Sequence, residues 1–239
     1  MTLPGPVEVR LAGLVQQHGL DDAIAANART LLELWAEDEL ASTTVTAPEE
    51  TVDQHLADAW VGLDVEQIRS AGVIADLGTG AGIPALPLAI ALPDARMHLV
   101  ESVSRRTTFL ARAIDACAIG DRCEIVVERA EGWREGLGRC DVVTSRALAR
   151  LDVVLEYCAP LLNLGGVAVA WKGSLDGGER EAGARAAELL GMELLEERRV
   201  VPFAGARDRR LVIARKVQET PERFPRREGM ARKKPLGDR

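Results

Sequence analysis

The chain has 239 residues, which suits one α/β domain with an extension, or one large and one small domain. Apolar residues make up 47 % and aromatics 3 %, so a core is available and must be built from Ala, Leu, Val and Ile. The formal charge of −7 argues at first against a nucleic-acid partner. No apolar run of about 18 residues is present, so no spanning helix is expected. The N-terminus lacks the charged start and apolar stretch of a signal peptide, and a cytoplasmic protein is expected. Cys117, Cys123, Cys140 and Cys158 form no C-x-x-C pair, which points to reduced thiols. His18, His55 and His98 lie far apart in sequence, so no metal site is expected.

The distribution of charge says more than its sum. Residues 1 to 72 hold three arginines against thirteen acids. After Glu222 come Arg223, Arg226, Arg227, Arg232, Lys233, Lys234 and Arg239, opposed only by Glu228 and Asp238. An acidic head and a basic tail flank a nearly neutral middle.

Residues 1–71 read as a helical region. Asp21 caps a helix to about Leu40, with Ile24, Leu31, Leu32 and Trp35 at helical spacing. Pro48 opens another through Leu63, with Trp60 on its apolar face. Trp35 and Trp60 are read as core rather than as platforms for bases. From Gly72 the pattern changes. Strands are expected at 73–77, 97–100, 123–127, 141–144 and 166–171, separated by helices at 83–92, 105–117 and 152–162. A helix at 179–190 and an antiparallel pair at 192–201 and 209–214 complete the region 72–216. Short strands alternating with helices predict an α/β, Rossmann-like, doubly wound and mostly parallel sheet with an N-terminal helical extension. Residues 217–239, with Pro221, Pro225, Gly229 and Pro235, read as a flexible basic tail.

Asp76-Leu-Gly78-Thr-Gly80-Ala-Gly82 falls between the first strand and its helix. Ligands of open parallel sheets bind at the carboxyl ends of strands, and glycines there let a ligand approach the backbone. A dinucleotide fingerprint needs a third glycine where Ile83 stands. The G-x-G-x-G spacing after an acid suits S-adenosyl-L-methionine, which has no phosphate and carries a cationic methionine end. Asp76 can meet that end directly or through water, or serve as a turn carboxylate. Glu101 ends the second strand, placed to accept from ribose hydroxyls or to favour a helix start. Arg129-Ala130-Glu131 follows the third strand, where adenine contacts or a solvated charge pair are both open.

Several blocks together resemble the bacterial small-subunit ribosomal RNA guanine-N7 methyltransferases, the glucose-inhibited division protein B family. They are 74–89 with Pro84 and Pro87, Glu101-Ser102 with Arg105-Arg106, Arg129-Ala-Glu131, Thr144-Ser-Arg-Ala147, Lys172-Gly173, and the ending Pro225-Arg-Arg-Glu-Gly229 with Lys234-Pro-Leu236. The resemblance implies a class I methyltransferase fold and methylation of N7 of one guanine in 16S rRNA, as free RNA or in a small-subunit precursor. It implies that Gly78, Ile83, Ala130, Glu131 and Arg146 line the cofactor site, with Glu101, Ser102 and Val103 close by. Ala85 stands where members usually have glycine. His55 and Asp58 keep the family's His and Asp, while Gln54 and Ala59 depart from its pattern.

N7 of guanine carries an in-plane lone pair and no proton, so no strong general base is required. Positioning and electrostatics suffice. Arg146, just beyond the fourth strand, is the expected catalytic residue, with an ion pair to an acid such as Glu131 as the alternative. Phosphate contacts are expected from Arg105, Arg106, Lys172, Arg226, Arg227, Lys233 and Lys234. Loss of the tail is expected to weaken RNA binding and leave cofactor affinity unchanged. The acidic head is expected to pack on the catalytic region or meet ribosomal protein. The protein is expected to be a monomer. Two other readings stay open: another substrate on the same fold, or a non-catalytic ribosome-binding module.

Overall fold

The computed structural model describes residues 3–238. Five strands run parallel: β1 (Val73–Leu77), β2 (Arg96–Val100), β3 (Cys123–Val126), β4 (Cys140–Arg146) and β5 (Leu162–Lys172). β6 (Met192–Val200) and β7 (Arg209–Lys216) are antiparallel to one another, and β7 is antiparallel to β5. The order is β3-β2-β1-β4-β5-β7-β6. The order turns back between β1 and β4, each of which is followed by a loop carrying expected site residues, so that is where a ligand cleft belongs.

Alternation along the strands divides the core between two faces. Ile74, Val142, Val167, Val169 and Leu211 point to one face. Ala75, Val143, Ala168, Ala170 and Val212 point to the other. The first face is covered by α6 (Ala85–Ala91), α7 (Ser104–Ala116) and the N-terminal helices. The second is covered by α8 (Leu151–Cys158) and α9 (Gly177–Leu190). Strands buried on both sides explain why they read as short apolar runs in the sequence.

The N-terminal region comprises α1 (Gly5–Gln17), α2 (Asp22–Glu37), α3 (Pro48–Thr51), α4 (Asp58–Trp60) and α5 (Glu66–Arg69). Asp21 caps α2 by accepting from Ala23 N at 2.8 Å. A π-helical stretch, Val52–Ala57, joins α3 to α4. Trp35 and Trp60 are fully buried, in agreement with their reading as core. Their indole N–H groups donate to Ala81 O and Pro87 O, each at 2.9 Å. Trp171 of β5 donates in turn to Asp58 O at 2.7 Å. The acidic head is thus packed on the sheet through one continuous core. No helix among the described residues is long and apolar enough to cross a membrane.

The C-terminal segment corrects the expectation of a loose tail. Phe224, Ala231 and Leu236 are buried against the α8/α9 face. Arg226 forms a two-pronged ion pair with Glu156, a buried acid of α8. Gly229 N donates to Glu131 Oε1 at 2.9 Å, and α10 (Met230–Lys233) follows. Gly237 N donates to Asp152 Oδ2 at 3.2 Å. A segment poor in apolar residues is held because Phe224, Ala231 and Leu236 find the core and Arg226 answers a buried carboxylate. Neither partner is visible from the tail's own composition. Arg239 lies outside the described residues.

Candidate cofactor and substrate clefts

The loop after β1 needs its glycines for conformation. Gly78, Gly80 and Gly82 have φ of +66°, +57° and +78°. Gly78 N donates to Val100 O at 2.8 Å, and Gly82 N to Thr79 O at 2.8 Å. Glu101 braces the loop from β2, accepting from Gly80 N at 3.1 Å and from Val103 N at 2.9 Å. Arg106 approaches the same carboxylate at 3.3 Å. Trp35 braces the loop from the opposite side through Ala81 O.

Asp76 lies beneath this loop, fully buried, and accepts from Thr144 Oγ1 at 2.8 Å. Burial pushes its carboxyl up to about 7, against the pull of the nearby Thr79 and Thr144 hydroxyls and Arg146. Its Oδ2 has no hydrogen-bond partner within ordinary limits. A buried acid directly under a glycine loop, next to the cleft wall at Leu77 and Gly78, suits a cationic ligand end. Gly78 forms the matching cradle, since a Cβ there would stand 2.7 Å from Leu148 Cδ1. S-adenosylmethionine therefore fits the residues present.

Two clefts flank the turn after β4. The first is bounded by Gly78, Ser102, Ala130, Glu131, Leu148 and Tyr157, among others. Of the residues expected to bind cofactor, Gly78, Ser102, Ala130 and Glu131 line it. Ile83 is instead buried in the core beside the loop, and Gly82 is packed under Leu86. The second is bounded by Asp58, Arg146, Trp171, Lys172, Arg209 and Arg210, among others. Arg146 and Ala147 face this cleft, whereas Leu148 faces the first. Ala147 has φ +53°, a conformation that costs a non-glycine residue energy. One short turn is thus the shared wall of both clefts.

Arg146 does not pair with Glu131. Its Nη1 donates to Asp58 Oδ2 at 2.7 Å and to Gln54 O at 2.9 Å. Arg209 Nε lies 3.3 Å from the other Asp58 oxygen. Asp58 is buried, which pushes its carboxyl up, while the two guanidiniums pull it back. Lys172 Nζ is turned to Glu179 at 2.6 Å and to Ala149 O at 3.0 Å. His55 is buried, with Nε2 2.8 Å from Thr43 Oγ1 and its ring edge-on to Trp35. Burial lowers it to about 4.

Among the residues expected to meet phosphate, Arg105, Arg227, Lys233 and Lys234 are exposed and Arg106 is half-exposed. Arg226 is turned inward onto Glu156. Sequence reasoning missed Arg209 and Arg210, which the β5–β7 register brings beside Lys172. The run Arg207-Asp-Arg-Arg210 at a strand start was the available signal. It also missed Arg232, which lies over the first cleft. Nothing local marks that residue.

The sheet order, the loop and its buried acid define an S-adenosylmethionine-dependent methyltransferase of the class I fold. Solved structures agree on the fold. Cofactor-bound Rv0187 from MTB aligns over 91 % of this chain and all of that one, with TM-score 0.56 and 19 % identity. The fibrillarin of Aeropyrum pernix with natively bound S-adenosyl-L-methionine aligns over 66 % of this chain and 73 % of that one, at TM-score 0.52 and 19 % identity. A family model described as rRNA small subunit methyltransferase G (GidB) matches residues 25–212, and the chain belongs to that family. Proteins named ribosomal RNA small subunit methyltransferase G are similar over most of the chain. That of Rubrobacter xylanophilus is 41 % identical over 79 % of this chain and 74 % of its own length. That of Syntrophomonas wolfei is 34 % identical over 88 % and 99 %.

Proposed function

We propose that the protein transfers a methyl group from S-adenosylmethionine to N7 of a guanine in 16S rRNA, as a cytoplasmic monomer acting on the RNA or a small-subunit precursor. The observation that carries this reading is the shared turn: Arg146 faces a cationic cleft while Leu148, two residues on, faces the cleft beside the glycine loop. A base held by one wall and a methyl donor held by the other would meet there.

When bound, the cofactor supplies an electrophilic methyl on a sulfonium. The chain's own work is placement. Gly78, Ser102, Ala130 and Glu131 shape the donor cleft, and Asp76 offers a carboxylate beneath it. Arg146 is fixed by Asp58 and Gln54 O, so its remaining guanidinium N–H groups are pre-oriented toward the second cleft. Arg209 and Arg210 add positive charge for a nucleotide phosphate. No side chain needs to remove a proton, because N7 has none. Cys117 and Cys140 are buried, with thiols pushed up to about 12, as suits structural rather than reacting groups.

The test is incubation of the protein with labelled cofactor and unmodified 30S particles or 16S rRNA, followed by mapping of methylated bases. Label at N7 of a single guanine is the expected result. Label elsewhere, or none with wild-type cofactor binding, refutes it. Gly78→Val should lose S-adenosylhomocysteine binding in calorimetry, since the added carbons collide with Leu148 at a positive φ.

A further inference from the structure

The C-terminal strap borders the donor cleft. Gly229 N bonds Glu131, Arg232 bonds Leu148 O at 2.8 Å, and Arg129 pairs with Glu228 at 3.4 Å. Each partner, Glu131, Leu148 and Arg129, is itself part of the cleft wall, and Arg232 completes that wall. The strap is fixed at both sides of this region, by Arg226 on buried Glu156 and by Leu236 and Gly237 on the α8/α9 face.

We propose that residues 226–237 are a working part of the cofactor site, with Arg232 as its outer wall. Bound S-adenosylmethionine and the closed strap stabilise one another. This rests on the donor-cleft reading above. Three physical points support it. Leu148 carries the collision that makes Gly78 a cradle, and its backbone is held by Arg232, so the strap sets the width of the cleft. Glu131 has one oxygen engaged by Gly229 N, so the strap also fixes the carboxylate's direction. A guanidinium is planar and weakly hydrated, well suited to lie against a purine-sized ring or to bond its edge. Movement of the strap would then accompany exchange of product for fresh cofactor, since Arg232 forms part of the cleft wall.

The proposal reverses the expectation that losing the basic tail spares cofactor affinity. Arg232 is exposed, so Arg232→Ala leaves the core untouched. In the full-length protein it should weaken S-adenosylhomocysteine binding about tenfold, the worth of one charge-assisted hydrogen bond, through faster dissociation. Its melting temperature without ligand should fall only slightly, by the loss of the bond to Leu148 O. Arg232→Lys should recover part of the affinity. In wild type, saturating S-adenosylhomocysteine should slow tryptic cleavage after Arg227 and Lys233, exposed basic residues of the strap not followed by proline. Affinity within twofold of wild type for Arg232→Ala, or cleavage indifferent to ligand, overturns the proposal. Failure of wild type itself to bind S-adenosylhomocysteine would instead overturn the donor-cleft reading, so the two failures are distinguishable.

Discussion

Arg146 answers two demands at once. Its guanidinium faces the second cleft, and it also neutralises Asp58, an acid only 3 % exposed. Arg146→Ala should therefore lower methyl transfer by about 100-fold or more, the scale set by losing one preorganised donor. It should also cost about 2–3 kcal/mol of stability, below the full penalty for breaking a buried pair because Arg209 remains. Single-turnover kinetics and denaturant melts separate the two effects. His55 gives a pH prediction. Its value falls from 6.5 unfolded to about 4 folded, so its contribution is complete above 6.5 and is lost as pH falls toward 4. Lowering pH from 6.5 to about 5 should cost roughly 2 kcal/mol through this group. Asp76 has the opposite sign: raised to about 7, its contribution is full below 3.8 and fades as pH rises through 7. His55→Gln should flatten the acid-side loss, measured as melting temperature against pH. An equal slope in both proteins contradicts the assignment.

At the scale of elements, α2 and α4 do more than cover the sheet. Trp35 of α2 reaches the glycine loop, whereas Trp60 of α4 reaches α6. Trp35→Phe should cost about 1–2 kcal/mol because it leaves Ala81 O buried and unpaired, and Trp60→Phe about 1 kcal/mol for the lost bond to Pro87 O. Only Trp35→Phe should also weaken S-adenosylhomocysteine binding severalfold, as it frees the loop at Ala81. Equal affinities in the two variants would show that the loop does not need this brace. The same elements show what was legible in advance. Strands such as β1 and β4 are short apolar runs because both faces are buried, and the loop announces itself through glycines that local conformation demands. Asp58 with Arg146 and Arg209, or Glu156 with Arg226, cannot be read that way. Each pair joins segments far apart in sequence, and a charge gives no local sign of whether its partner is water or a buried acid. Glu101 shows the intermediate case: its place at the end of β2 was readable, but its hold on Gly80 N depends on the loop's fold.

At the scale of the whole molecule, the position of β7 has a consequence for synthesis. β7 sits between β5 and β6, so β6 has no partner strand until the chain beyond residue 208 has been made. Vectorial synthesis thus leaves β5 with one bare edge, Val167–Trp171, facing solvent while α9 and β6 already exist. A nascent chain arrested near residue 205 should be protease-sensitive and engaged by holdase chaperones. Release of residues 206–238 should let it condense in one step, as seen by arrest-site proteolysis of ribosome-bound chains. Resistance of the arrested chain over residues 140–200 would refute this. Both the inserted strand and the segment beside the donor cleft come after the parallel strands in chain order. The glycine loop is therefore made well before the elements that complete the sheet around it, and a nascent chain carries its donor loop before it carries a finished fold.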